Sequence, residues 1–339
     1  MVLFGAGVLK LMDPVGAGLV MHGYLNFFGM PFLWPAENFL GAGMALLETI
    51  MGAAILTGIH RRVVSIASLV LLSGFTILTA VMVIADPKMD CGCFGEAIHL
   101  THMQSLIKNI VFMVLWVIAY IPFRKQEPTR KIKYVTFSIA TVSVLLFLFY
   151  SSMTIPMVDF TKYRPGAELM LADELEFGDD KTPTLSFSGV DGEYKDSLAL
   201  SGKVAIVSIY DAAKIKAGQW QKMERFVNDA QMTGITPLIL AVSTPDQIGS
   251  LTNSQAILAS IYFADRKELI ALNRSNGGAS YIDDGQIVVK WSKYKLPRKA
   301  KLEQLSKTNS TEALVTENSN PRLKIQGFML FLFALMVLF

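Results

Sequence analysis

Cysteine is nearly absent from this chain of 339 residues: there are two, Cys91 and Cys93. Thiol chemistry is therefore confined to one short loop, the string Asp90-Cys91-Gly92-Cys93-Phe94-Gly95. Charge is scarce too, at 17% of residues, while hydrophobic residues reach 52%. That balance excludes an ordinary soluble protein and fits a membrane protein carrying a soluble portion. The net charge is only +3, and the basic excess is explained by loop positions, so no nucleic-acid partner is expected. A cleavable signal peptide is not evident, since residues 1–12 lack a basic start and a small-residue cleavage site. No phosphate-binding loop, nucleophile triad or glycine fingerprint stands in a credible context.

What is present is a set of long apolar runs. A bilayer crossing needs about 20 apolar residues. Residues 39–58, 63–85 and 134–152 meet that length, and 106–123 falls within the spanning range. Residues 1–12 are expected as the last half of a span, so the chain is expected to start inside a longer segment. Residues 325–339 are expected as a C-terminal anchor or part of one. His60-Arg61-Arg62 joins the second and third runs, and Arg124, Lys125, Arg130, Lys131 and Lys133 crowd the link between the fourth and fifth. Basic loops stay in the cytoplasm. The cysteine loop and everything after Ser152 are then expected on the outer face of a bacterial inner membrane, in an oxidising compartment.

From about Pro156 the composition becomes that of a globular domain. Residues 203–210 and 235–242 read as buried strands, with a helix between them at 217–233 that places Trp220, Met223, Phe226, Val227 and Ala230 on one face. A second helix opens at Thr244-Pro245, a short strand follows at 261–264, and 279–282 with 286–291 form a hairpin around Asp283-Asp284-Gly285. A basic helix is expected at 297–308. This order suits a thioredoxin-like α/β domain, although the segment where such a fold holds its Cys-x-x-Cys reads Asp211-Ala212-Ala213-Lys214-Ile215. The expected fold is a membrane all-α bundle of four to five helices (1–152) plus a thioredoxin-like extracytoplasmic domain (153–308). A polar tether (309–324) and the anchor segment (325–339) complete it.

The strings Gly7-Val8-Leu9-Lys10-Leu11-Met12-Asp13-Pro14 and Cys91-Gly92-Cys93-Phe94-Gly95, with Glu48 inside a span, resemble the DoxX-like and methylamine-utilisation MauE membrane family over roughly residues 1–150. The joining of that bundle to a domain with Asp159-Phe160-Thr161-Lys162-Tyr163-Arg164-Pro165-Gly166 and Arg274-Ser275-Asn276-Gly277-Gly278 resembles the version found in Bacteroidetes. There the second string usually carries proline where Gly277 stands here. The resemblance implies a membrane module linked to thiol oxidation or to maturation of exported proteins.

Three chemistries are open to the cysteine pair. Cys91 and Cys93 either cycle between dithiol and disulfide, or form a permanent structural feature, or bind metal. In the first case they are the catalytic residues, and a bridge across one residue is strained and easily reduced. In the last case His99 and His102 complete a soft ligand set for copper or zinc, with Met89 and Met103 nearby. Glu48, ionisable within a span, is expected either as a group linked to proton transfer or to a quinone cofactor, or as the structural partner of Lys10; the alternative partner for Lys10 is Asp13, three residues on. Gly41, Gly43, Ala45, Gly52 and Ala53 are expected to serve helix packing. The partners expected are the lipid bilayer and an exported client protein docking on the outer domain. A non-enzymatic scaffold with structural cysteines is the alternative function.

Overall fold

The computed structural model describes residues 1–87, 89, 91–123, 130–156, 158–171, 182–318 and 327–328. The chain divides into two compact units: the first comprises Met1–Ser152 together with Ile325–Phe339, and the second Met153–Lys324.

The first unit is helical: α1 (Val2–Met12), α2 (Pro14–Phe27), α3 (Glu37–Thr57), α4 (Arg61–Ala85), α5 (His102–Phe123) and α6 (Lys131–Met153). The four expected runs coincide with α3, α4, α5 and α6, apart from Gly58, which caps α3, and each belongs to a helix long and apolar enough to cross a bilayer. The start differs from expectation. The half-span is α1, but a second helix, α2, follows directly at a bend of 101°. The break has a local cause. Pro14 has no N–H to continue the ladder, and it stands at the first position of α2, where none is needed. Asp13 Oδ1 accepts from Gly16 N at 2.9 Å and so caps the new helix.

Glycines let these helices approach closely. A Cβ on Gly52 would lie 2.5 Å from the backbone nitrogen of Phe4, and one on Gly41 would lie 2.6 Å from the Ala17 carbonyl carbon. In this way α3 receives α1 and α2 on one face. Gly43 faces open space, so it takes no part in that packing. α5 begins in a capping box: Thr101 N donates to Gln104 Oε1 and Gln104 N donates to Thr101 Oγ1. Of the apolar C-terminal segment expected as an anchor, only residues 327–328 are described; Phe328 stacks on Phe147 at 5.1 Å.

The second unit holds a mixed sheet built from β2 (Phe187–Ser188), β3 (Lys203–Ile209), β4 (Thr236–Ala241), β5 (Ile261–Ala264), β6 (Gly278–Asp283) and β7 (Gln286–Trp291). β1 is the short strand Cys93–Glu96 of the first unit. The order is β2-β5-β4-β3-β6-β7. β3, β4 and β5 run parallel, and β6, β7 and β2 pair antiparallel with their neighbours. β3 is central, which explains its unbroken apolar run. Its Ala205, Val207 and Ile209 join Trp220, Met223 and Phe226 of α7 (Ala217–Met232) and Leu302 of the helix Lys299–Lys307 in one core. Its Val204 and Ile206 join Leu269 and Leu272 of the helix Arg266–Leu272 in the other. The β6–β7 turn has positive φ at Asp284 and Gly285 (46° and 78°), the tight form that suits a twisted hairpin.

The string Asp159–Gly166 proves structural. Tyr163 is fully buried, and its hydroxyl is bonded to the Thr184 carbonyl and to Glu268. Asp159 lies in an ion pair with buried Lys290. Burial alone would raise the Asp159 pKa, but Lys290 and Thr161 outweigh it and hold it below the usual range. The expected polar tether is corrected in part: residues 310–318 form a helix whose Ala313 is buried in the α7 core. Asn318 Nδ2 also donates to the Val288 carbonyl at 2.9 Å. The composition of the segment is polar, but Ala313 and Leu314 supply enough apolar surface to dock it.

Candidate functional site

The cysteine loop is shaped by two glycines with left-handed backbone, Gly92 and Gly95, both at φ +62°. At Gly92 the demand is double, because a Cβ there would lie 2.2 Å from Val20 Cγ1 of α2. Glycine at this position lets the loop lie flat on α2 and turns both thiols to the same side. Cys91 Sγ and Cys93 Sγ are 3.4 Å apart, as two free thiols. Tyr24 of α2 fixes the loop by donating from its hydroxyl to the Cys91 carbonyl at 2.6 Å.

The two sulfurs stand in unequal surroundings. The Cys93 thiol is lowered from its ordinary pKa, first by the hydrogen bond with Cys91, then by the Ser105 hydroxyl and the Lys108 ammonium, against burial. Cys91 is raised, chiefly because it gives that hydrogen bond and is buried. Ser105 and Lys108 lie on the first turns of α5, three residues apart on one face. Lys108 Nζ also sits 4.9 Å from the centre of the Phe94 ring. Cys93 is thus the thiol poised as thiolate, and Cys91 its donor.

Glu48 is almost fully buried and paired with Lys10: Lys10 Nζ donates to Oε1 at 2.6 Å and to Oε2 at 2.9 Å. The pair joins α1 to α3, and it selects among the expected partners of Lys10. Asp13 caps α2, as described above. Both members of the pair line a cavity of about 710 Å3 that also contains Cys91, Cys93, Tyr24 and Lys108. The three residues expected to carry catalysis, Cys91, Cys93 and Glu48, therefore share one chamber. Lys10, Tyr24 and Lys108 complete its polar end, Ser105 acts on Cys93 from beside it, and none of these four was assigned to the cysteine site from sequence. The periodicity of α5 offered a signal: Lys108 is the one Lys or Arg between Thr101 and Phe123.

The metal-binding alternative does not assemble. His99 and His102 line a separate cavity with Met89 and Met103, and His102 Nε2 lies 3.1 Å from the Pro87 carbonyl. Among the described residues no three of the His, Cys, Asp and Glu side chains gather around a common point that would hold an ion.

In the second unit, the turn after β3 holds Asp211-Ala212-Ala213-Lys214-Ile215. Asn276 locks it. Its Oδ1 accepts from Tyr210 N and Asp211 N, and its Nδ2 donates to the Asp211 carbonyl at 2.6 Å. Gly277 N donates to the Ser208 carbonyl at 2.8 Å. Ala212 and Ile215 are buried beneath this pin. The turn is a packed structural corner with no cysteine in it.

Residues 1–122 match the family model described as methylamine utilisation protein MauE. The match runs from α1 into the end of α5 and includes the cysteine loop, Lys10, Glu48 and Lys108. It does not reach α6 or the second unit. No curated protein and no solved structure matches the chain.

Proposed function

Starting from a helical unit of the MauE-like membrane family, we propose that this multi-pass membrane protein is a thiol–disulfide redox factor for exported proteins. The observation that carries the reading is the shared chamber: two thiols 3.4 Å apart, with a lysine beside the lower-pKa sulfur and a buried Lys10–Glu48 pair lining the same cavity. As the disulfide, the pair accepts attack by a client thiolate. A mixed disulfide forms, the second client thiolate displaces the loop sulfur, and the client leaves oxidised with Cys91 and Cys93 as the dithiol. Cys93, the better leaving group and nucleophile at neutral pH, is the sulfur that exchanges.

The orientation proposed is the one that the loop charges favour. His60-Arg61-Arg62 and the basic 124–133 link lie in the cytoplasm, and the cysteine loop and second unit lie on the periplasmic side of the inner membrane. The second unit is proposed to be thioredoxin-like. Its β3–α7–β4 parallel pair beside the antiparallel β6–β7 hairpin supports that reading. With its active-site turn pinned by Asn276 and no cysteine present, the unit serves to bind the client and not to exchange with it.

Mass tagging of thiols in membranes containing the full chain tests this. The pair is expected to be reduced by a mild dithiol and to oxidise a reduced dithiol peptide. Offered the same peptide in its disulfide form, the Cys91→Ser variant should trap a mixed disulfide through Cys93, whose thiolate displaces one peptide thiolate, and the Cys93→Ser variant should trap none. A pair that stays oxidised against the reductant, with peptide oxidation unchanged in both variants, would make the bridge structural and the protein a scaffold.

A further inference from the structure

We infer that the cavity beneath the cysteine loop binds an isoprenoid quinone, ring uppermost at the thiols and tail running down along α4 and α5; this rests on the redox reading above. The thiols and charged groups of the cavity lie at one end. Cys91, Cys93, Tyr24, Lys10, Glu48 and Lys108 gather there. From that end the wall continues along α5 through Phe112 and Leu115 to Trp116 and Ala119, and along α4 from Thr79 through Phe75 and Leu72 to Ser68. Lys108 and Ala119 are eleven positions apart, and so are Ser68 and Thr79. At about 1.5 Å per residue both walls are about 16 Å long. Trp116 is held at the far end by bonds from its Nε1 to the Ser65 carbonyl and to Ser68 Oγ, at 3.1 and 3.2 Å. The shape is a slot of about 710 Å3, in the range that buries a drug-sized ligand.

The chemistry at the polar end selects the occupant. Each cycle leaves Cys91 and Cys93 as a dithiol, and reoxidation breaks two S–H bonds, forms one S–S bond and releases two electrons and two protons. A quinone takes up both pairs as two new O–H bonds and leaves as hydroquinone. Lys108 and the Lys10–Glu48 pair supply donors for the ring oxygens, and Glu48 supplies a proton-carrying carboxylate beside them. A saturated lipid would fill the slot equally well along the tail, but it has nothing to accept the electrons. A small soluble oxidant would use none of the apolar length.

The test is photo-crosslinking of the full chain with an azido-benzoquinone bearing two isoprenoid units, with the labelled peptides mapped by mass spectrometry. Labelling is expected on the cysteine loop or the first turns of α5. It should fall at least tenfold with excess of the same quinone without azide, and little with the tailless ring or with a phospholipid. Leu72→Trp, which fills the slot midway, should remove the label. If that variant does not accumulate, Leu115→Phe serves instead. Equal competition by the tailless ring would overturn the tail assignment, equal competition by phospholipid would make this a lipid site, and no specific label would end the proposal. The Cys91→Ser, Cys93→Ser double variant separates the two readings. Labelling that survives there while the wild-type thiols fail to cycle leaves the binding site standing and removes the redox role. Cycling thiols without label do the reverse.

Discussion

Cys91 and Cys93 carry the same side chain two positions apart, yet only one of them has a lysine within reach. α5 causes the difference. Its Ser105 and Lys108 sit one turn apart and both favour the anion at Cys93, while Cys91 is left buried as the donor. The direction of the pH dependence follows. A lowered thiol is already partly thiolate below the ordinary midpoint of about 8.5, so Cys93 should be alkylated at pH values where a free cysteine is slow. In a Cys91→Ser background, which leaves Cys93 as the sole cysteine and keeps a hydroxyl donor beside it, the alkylation midpoint is expected below the free value. Adding Lys108→Met removes the nearby cation and should raise that midpoint by about one unit, since an opposite charge in contact is worth about 1–3 units. Iodoacetamide rates measured from pH 5 to 10 check this. Identical profiles with and without Lys108 would remove the lysine from the site.

At the scale of elements, the site exists because α1, α2 and α3 interlock. Lys10 reaches Glu48 only if α1 lies against α3, and α1 lies there because Gly52 leaves room for the backbone at Phe4. α2 then turns away at Pro14 and presents Val20 and Tyr24 to the cysteine loop. A methyl group on Gly52 has nowhere to go: the obstacle 2.5 Å away is backbone, not a flexible side chain. Gly52→Ala is expected to cost about 1–3 kcal/mol, the usual range for overpacking, and to lower the thermal midpoint in detergent. Gly43→Ala on the same helix is the control. Nothing lies within 4 Å of the added carbon, and alanine favours helix over glycine by up to about 1 kcal/mol, so no loss is expected there. Equal losses at both positions would show that the close approach of α1 is not what Gly52 serves. The five small residues of α3 looked alike in sequence, and only packing separates Gly43 from Gly52.

For the molecule as a whole, the legible parts were those where one physical demand acts along consecutive residues. Lipid requires unbroken apolar length, so α3 to α6 stood out. Burial on both faces made β3 and β4 continuous apolar runs, and the need for positive φ marked the Asp284-Gly285 turn. What stayed hidden depended on residues far apart in the chain. The Lys10–Glu48 pair spans 38 positions, and Tyr24 meets Cys91 across 67. α2 was missed because a proline after a half-span reads as an exit, whereas here Asp13 restarts a helix. The same long-range logic gives the membrane topology a simple test. Three helices, α4, α5 and α6, separate Arg62 from the second unit, and two separate the cysteine loop from it. If each crosses, Arg62 lies on the opposite side from the second unit whatever the bent α1–α2 pair does at the start. With Cys91 and Cys93 replaced by serine, Tyr294→Cys, at a half-exposed position, should react with a membrane-impermeant maleimide on intact spheroplasts. Arg62→Cys, exposed at the start of α4, should react only after detergent is added. Reaction of both from outside would mean that one of the three helices does not cross. The reversed pattern would place the cysteine pair in the reducing cytoplasm, where an oxidising role for exported clients has no substrate.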